Sequence, residues 1–237
     1  MSFDLDFAIE IIPLVLKGIG NTILVAILSF IGASFGGIIL ETLRRSHWIV
    51  RPLAQLLIDA IRSTPVLVQL YFIYFVLPYY GITLPAFVTG VLGLSIYYSG
   101  YLSEVFKAGI DAVPAGQSEA AFSLGLSWFD GLIFVIAPQM LRNVAAPLGA
   151  YSVSVLKATP YLAVIAVPEM LGSAFDVSSA TYRYAEPMAV AGLLFLALAL
   201  IAVALVSQLE RRLGLTYNST GNEVHHDRDQ SSRHADS

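Results

Sequence analysis

The sequence predicts an all-α integral membrane protein with about five transmembrane helices, on three observations. Hydrophobic residues make up 57% of the 237-residue chain and charged residues only 13%, about half the roughly 25% that coats a soluble domain. Several stretches reach the length of about 20 apolar residues that a helix needs to cross a bilayer. The charge is also crowded at one end, with six charged side chains and three of the four His beyond Tyr217.

Taken in order, residues 1–14 open with MSFDLDFAIEII, which carries three acids and no positive region. It is not a cleavable signal peptide and reads as an N-terminal segment on the outer side. Gly18–Leu40 is the first span. Lys17 at its edge can reach the headgroups, and Gly32, Gly36 and Gly37 offer a face for close helix contact. Leu53–Leu77 is the second span, interrupted by Asp59, Arg62 and Pro65, so that Val66–Leu77 is its uninterrupted half. Asp59 and Arg62, three apart on one helix face, read as a structural pair. Ile82–Phe106 is the third, with Glu104 at its end, where solvation makes a charge cheap. Ala145–Leu171 is the fourth, interrupted by Lys157, Thr159 and Pro160. Pro187–Leu209 is the fifth and the cleanest.

Arg44, Arg45 and Arg51 follow the first span, Lys107 the third, and Arg211 and Arg212 the fifth. The opposite side has Arg183 alone in its last loop. The positive-inside rule therefore places the N-terminus outside and the C-terminus in the cytoplasm. Residues 15–213 read as the membrane domain and 214–237 as a disordered cytoplasmic tail, polar and without apolar period. In that tail Asn218-Ser219-Thr220 reads as a chance glycosylation match. His225 and His226 read as solvated rather than as metal ligands.

Net charge -4 without a basic cluster excludes a nucleic-acid partner. The absence of Cys excludes disulfide scaffolds, thiol catalysis and Cys-based metal sites. No phosphate-binding G-x-x-x-x-G-K-[ST], H-E-x-x-H or G-x-S-x-G motif occurs. The chain reads as a non-enzyme without catalytic residues, metal or cofactor, and any nucleotide energy must come through another subunit.

The loop of about 108–141 is too structured for a linker. Pro114 and Gly116 make a turn, Ser118-Glu119 starts a helix that stops at Gly125, and Pro138 marks the next break. Phe129–Ile136 between them is too short to span and is expected along the membrane face or within the loop. Ala120 and Ala121 on that helix predict a surface with little side-chain bulk, open to close approach by another protein.

Glu119-Ala120-Ala121, then Gly125, then Ile136-Ala137-Pro138 resembles the EAA loop of permease subunits of ATP-binding-cassette (ABC) importers, with Ala137 in place of the usual Leu. The flanks resemble the polar amino acid branch, of histidine, glutamine and arginine type. Arg62-Ser63-Thr64-Pro65-Val66-Leu67-Val68-Gln69 is similar to its Arg-Gly-Thr-Pro-x-x-x-Gln segment. Glu104–Ile110 and Val113–Gln117 resemble its third-span exit, and Val167-Pro168-Glu169 its Val-x-Glu. Lys157-Ala158-Thr159-Pro160 departs from its Lys-Asp-Thr-Ser, losing an acid and a hydroxyl. Arg183-Tyr184-Ala185-Glu186-Pro187 also looks like permeases for ectoine-type compatible solutes.

The resemblance covers about residues 15–213 and implies the type I ABC importer permease fold. It also implies ATPase subunits docked at Glu119, Ala120, Ala121 and Gly125, and a second permease subunit, identical or paralogous. A periplasmic or extracellular solute-binding protein, membrane lipid around the spans and the bacterial cytoplasmic membrane as location complete the implied setting. Broken helices near mid-bilayer suit a substrate path. The candidates for it are Gln69, Tyr97, Tyr98, Ser99, Lys157 and Thr159. Against this, Lys157 can snorkel or pair with Glu169, and the tyrosines can be belt aromatics. A passive channel or ion-coupled carrier would use the same spans, but has no need of the long ordered loop.

Overall fold

The computed structural model describes residues 3–212. The tail expected at 214–237, with its histidines and Asn218, lies outside the described residues. Among the described residues the chain is helical throughout: α1 (Leu5–Leu16), α2 (Ile19–Arg44), α3 (Val50–Ser63), α4 (Val66–Tyr71), α5 (Ala86–Asp111), α6 (Ala115–Ser123), α7 (Trp128–Asp130), α8 (Ala137–Ala158), α9 (Met170–Thr181) and α10 (Ala185–Arg212). Residues 5–14, left outside the membrane domain by the sequence reading, belong to α1. Asp4 caps it by accepting from the Phe7 N–H, and Ile11 and Val15 bury it against α9 and α10.

α2 and α5 form the spine, and they run parallel. A side chain at Gly32 would meet Ser95, one at Gly36 Ser99, and one at Gly37 Leu102, while Arg45 at the end of α2 reaches Asp111 at the end of α5. The glycines expected to allow close helix contact do so here, because a Cβ at Gly37 would lie 3.0 Å from the Ser103 backbone nitrogen. Ser29 and Ser95 cross-link the pair through backbone carbonyls.

Two parallel helices require a return crossing between them, and the second span provides it in bent form. The chain turns by 102° between Val50–Ser63 and Val66–Tyr80. The second span expected over Leu53–Leu77, with Val66–Leu77 as its uninterrupted half, is thus bent at the expected Pro65 break, and α3 and the Val66–Tyr80 run pass as a span only together. α3 swings out at an angle. The cause is Pro65: the residue before it, Thr64, is extended at φ -95 and ψ 128, as a proline demands of its neighbour.

α8 is antiparallel to α5, with Asn143 bonding Gly109 O and Tyr98 bonding Ser154 O. α10 is antiparallel to α8, where Glu210 and Val206 pack at Gly149. α2, the run containing α8, and α10 are each long and apolar enough to cross, with the bent pair as a fourth. α5 is 26 residues long, about 39 Å at 1.5 Å per residue, and lies beside α2 over its length, so it crosses where α2 crosses. Its serines and tyrosines, turned towards neighbouring helices, lower its hydropathy.

The fourth span sits earlier than expected. Pro138 does not break it: a π-helical turn over Gly131–Ile136 runs straight into α8. The proline falls where the π turn meets α8, and the wider turn absorbs the ladder bond that its missing N–H cannot make. The segment expected along the membrane face or within the loop packs on α6 through Gly131 and Ala121, and it also opens the long apolar run that contains α8. α8 ends at Ala158, where Thr159–Ile165 tightens into a 3₁₀ turn.

Candidate functional site

The first candidate site is the loop helix α6. It starts at Ala115, three residues before the expected Ser118, because Pro114 sets its N-terminus. Its C-terminus is a Schellman motif. Leu126 N–H bonds Ala121 O at 3.2 Å and Gly125 N–H bonds Phe122 O at 2.9 Å, with Gly125 at φ +78. Gly125 is thus required by backbone shape, and space around it is open.

The surface of α6 differs from the small-residue face expected. Ala121 is only 5% exposed, turned inward onto Gly131. Phe122 and Leu124, at 79% and 82% exposure, point away with nothing over them. Glu119 and Ala120, one turn earlier, are exposed as well. Reading the loop for its alanines missed the two large apolar side chains. Their signal was there in a helical register that buries Ala121 and so must expose Phe122.

The second candidate site is a polar face between α4, α5 and α8. Tyr97 and Tyr98 lie edge to face at 5.2 Å, and the Tyr97 and Tyr101 hydroxyls meet at 3.2 Å. Tyr151 packs 6.3 Å from both Tyr98 and Tyr101. Tyr98 donates to Ser154 O at 3.0 Å, and the Arg62 guanidinium stands over the Tyr101 ring at 5.5 Å. Gln69 donates through Nε2 to Ile61 O and Thr64 O, the carbonyls freed at the Pro65 break, while its buried Oε1 has no partner. Tyr101 and Tyr151 were not singled out from sequence. Their place follows from α5 spacing, four residues after Tyr97, and from the antiparallel register of α8.

The other candidates lie apart from this face. Ser99 turns to α2 and bonds Ile96 O. Thr159 is buried and bonds Leu156 O. Lys157 is exposed on the side of α8 that faces α10, in a groove of about 440 Å³ that also holds Ser154 and Glu210. The Lys157–Glu169 pair is not formed. Glu169 is fully buried as the cap of α9, accepting from the Leu171 and Gly172 N–H groups.

At the end of the bundle marked by Arg44, the expected Asp59–Arg62 pair is replaced. Asp59 accepts from Gln55, and Arg62 turns to Glu104. Glu104 is not simply solvated, since it also accepts from Arg44 at 2.5 Å. Glu41, only 2% exposed, receives both Arg44 and Arg45. Breaking such a buried pair by removing one partner is strongly destabilising.

At the opposite end Arg183 bonds Glu186 at 2.5 Å and Asp4 at 3.3 Å, and stacks 4.2 Å over the Phe7 ring. Asp4 is held below its usual value, first by the Phe7 N–H and then by Arg183. Glu186 holds Arg183 above the ordinary arginine value. This clamp ties α1 to α10.

A membrane-embedded helical bundle with a polar face between its helices and an open-topped loop helix on one end defines a multi-pass transport subunit. The comparisons with known proteins give the family. Residues 33–215 match the family described as the binding-protein-dependent transport system inner membrane component. A probable amino-acid ABC transporter permease of Sinorhizobium fredii is 44% identical, over 86% of this chain and 88% of its own. An arginine transport system permease of Bacillus subtilis is 31% identical, over 90% of this chain and 98% of its own. The crystal structure of an amino acid ABC transporter with histidines superposes with a TM-score of 0.81 at 33% identity, over 90% of this chain and all (100%) of that one. The chain belongs to this family of ABC importer permeases, and its fold is the type I importer permease fold.

Proposed function

We propose that the chain forms, with a second permease subunit, the path that carries a polar amino acid or related zwitterion across the cytoplasmic membrane of a bacterium. The observation that carries this reading is the Tyr97, Tyr98 and Gln69 face. It gathers neutral hydrogen-bonding groups within the depth of the bundle, with the Tyr97 and Tyr101 hydroxyls in contact and the Gln69 amide at the carbonyls freed by Pro65. Hydroxyls and an amide bind an ammonium or a carboxylate without a fixed charge holding it there, so the cargo can leave as well as enter. Lys157, with no ion pair among the described residues, offers its ammonium to a carboxylate at the edge of α8. Thr159 and Ser99 shape the helices around the path.

Energy enters at the other site. Two ATPase subunits dock on α6, where Glu119, Ala120 and Gly125 let the partner approach and Phe122 and Leu124 seat in it, while Ala121 anchors α6 to the bundle. ATP binding swings α6, and the swing passes through the Ala121–Gly131 contact to the π turn, which continues into α8 without a loop. A solute-binding protein delivers cargo at the end of the bundle that carries Asp4 and Arg183, the outer side by the distribution of Lys and Arg.

The test is a gentle pull-down of the tagged chain from its own membrane, followed by reconstitution of what is recovered into liposomes. With binding protein outside and ATP inside, labelled arginine, glutamine or histidine should accumulate. Flux that proceeds without ATP, or recovery of the crosslinked chain alone, would replace this reading by a passive channel. ATP-driven uptake of ectoine with none of these amino acids would change the cargo and keep the mechanism.

A further inference from the structure

The charged end of the bundle contains a cavity of about 700 Å³ between the end of α2, the start of α3 and the end of α5. Four cations line it, Arg44, Arg45, Arg51 and Lys107, against two carboxylates, Glu41 and Asp111. The carboxylates are already engaged: Glu41 by Arg44 and Arg45, Asp111 by Arg45 at 2.5 Å. Arg44 is further held by Glu104. Arg51 and Lys107 make no ion pair among the described residues and are exposed at the cavity wall. The cavity therefore presents two unspent positive charges.

Its surroundings say what kind of anion suits it. α3 is two-faced. Ala54 and Ile58 are buried against the bundle, while Ile49, Leu53, Leu56 and Leu57 are all at least half exposed on the outward face, with Trp48 just before them at 75%. The 102° turn at Ser63–Pro65 lays α3 across the direction of the crossing helices. A two-faced helix with a tryptophan at its start and cations along its edge is the form that lies in the headgroup layer, apolar side down. Basic pockets between membrane helices at that depth bind anionic headgroups.

We infer that this cavity holds the phosphate of an anionic phospholipid, bonded by Arg51 and Lys107, with the acyl chains running down the apolar face of α3. The bound lipid would fix α3 against the ends of α2 and α5, next to the Arg62–Glu104 contact that leads to the tyrosine face.

The full chain, purified with whatever subunits accompany it and washed free of lipid in detergent, is given an equimolar mixture of phosphatidylglycerol and phosphatidylcholine. Retained lipid is counted by native mass spectrometry. Phosphatidylglycerol should be retained over phosphatidylcholine, and Arg51→Gln with Lys107→Gln should lower that preference roughly 30-fold, for the loss of two surface cations. Thermal melting of the variant should match the parent, since neither side chain supports another. Equal retention of the two lipids by the parent, or an unchanged preference in a variant that melts normally, overturns the inference. Displacement of phosphatidylglycerol by millimolar inorganic phosphate would make free phosphate the ligand, and co-purification of an acidic protein lost in the variant would make it a protein site. Either result also overturns the lipid assignment.

Discussion

The α2–α5 seam and the α6 loop are both built from small residues, and they use them for opposite ends. In the seam Gly32, Gly36 and Gly37 are filled against by Ser95, Ser99 and Leu102, and the surface is completed within the chain. At α6, a Cβ on Gly125 would meet nothing and the glycine is needed for its left-handed backbone, while Phe122 and Leu124 are left uncovered. A glycine inside a contact sets distance; a glycine at a helix end sets direction. Substitutions at the first should therefore damage the fold, and substitutions at the second should damage assembly and spare the fold.

The largest effect is expected for Gly37→Leu. A Cβ there would sit 3.0 Å from Leu102 Cβ and from the Ser103 backbone nitrogen, and backbone cannot step aside as a flexible side-chain end can. Overpacking of this kind costs about 1–3 kcal/mol or more. The variant should yield little monodisperse protein after detergent extraction. A normal melting temperature for it would show that the two helices can slide apart, and the contrast between the regions would fail.

Next is Gly125→Asp. Asp is among the residues that tolerate the left-handed region, so the chain should insert and fold, at a cost of about 1 kcal/mol. A carboxylate placed at the open turn should nevertheless abolish transport and loosen the ATPase. Normal uptake would remove α6 from the mechanism. A smaller effect is expected for Phe122→Ser with Leu124→Ser. Both side chains are free in the isolated subunit, so its stability should change by no more than about 0.5 kcal/mol. Apolar anchors seated in a partner are worth about 2 kcal/mol or more when truncated, and ATPase co-purification should fall accordingly. A loss of stability with normal co-purification would reverse the assignment.

The comparison also shows why some of the molecule was legible beforehand and some was not. Five crossings and the helix stop at Gly125 follow from hydropathy, charge bias and glycine chemistry, all of which are local. The two Thr-Pro breaks look alike in sequence and differ in space. Thr64 is extended and turns the chain sharply, whereas Thr159 is helical at φ -58 and ψ -31, and Pro160 merely opens a 3₁₀ turn. The dipeptide states that a helix is interrupted, and the packing around it decides by how much. The same limit applies to Pro138, absorbed by a π turn, and to Arg62, which passes over Asp59 three residues away for Glu104 on another helix. Tyr101 was legible four residues after Tyr97 on α5, whereas Tyr151 was not, because only the antiparallel register of α8 brings it to the cluster.

Lys157 falls between the two cases, and it carries the smallest effect. It is exposed, as a docking residue would be, yet it lies on α8 in the membrane domain, as a packing residue would. The one acid that could have neutralised it from a neighbouring turn, Glu169, is spent on capping α9, and Glu210 in the same groove lies against Gly149, eight residues and about 12 Å along α8 from Lys157. A second copy related by an axis along the membrane normal would hold its own Glu210 at that same different depth, so symmetry does not supply the missing charge. The carboxylate that meets Lys157 is then the cargo's, or an acid on the second permease. Lys157→Met keeps the stem and removes the ammonium. If the cargo is the partner, apparent affinity for uptake should weaken several-fold, by about 1 kcal/mol for one exposed charge pair, while permease and ATPase co-purify as before. If assembly falls instead and the residual complex transports with unchanged affinity, Lys157 belongs to the contact between permeases, and the open part of this surface extends from α6 up the side of α8.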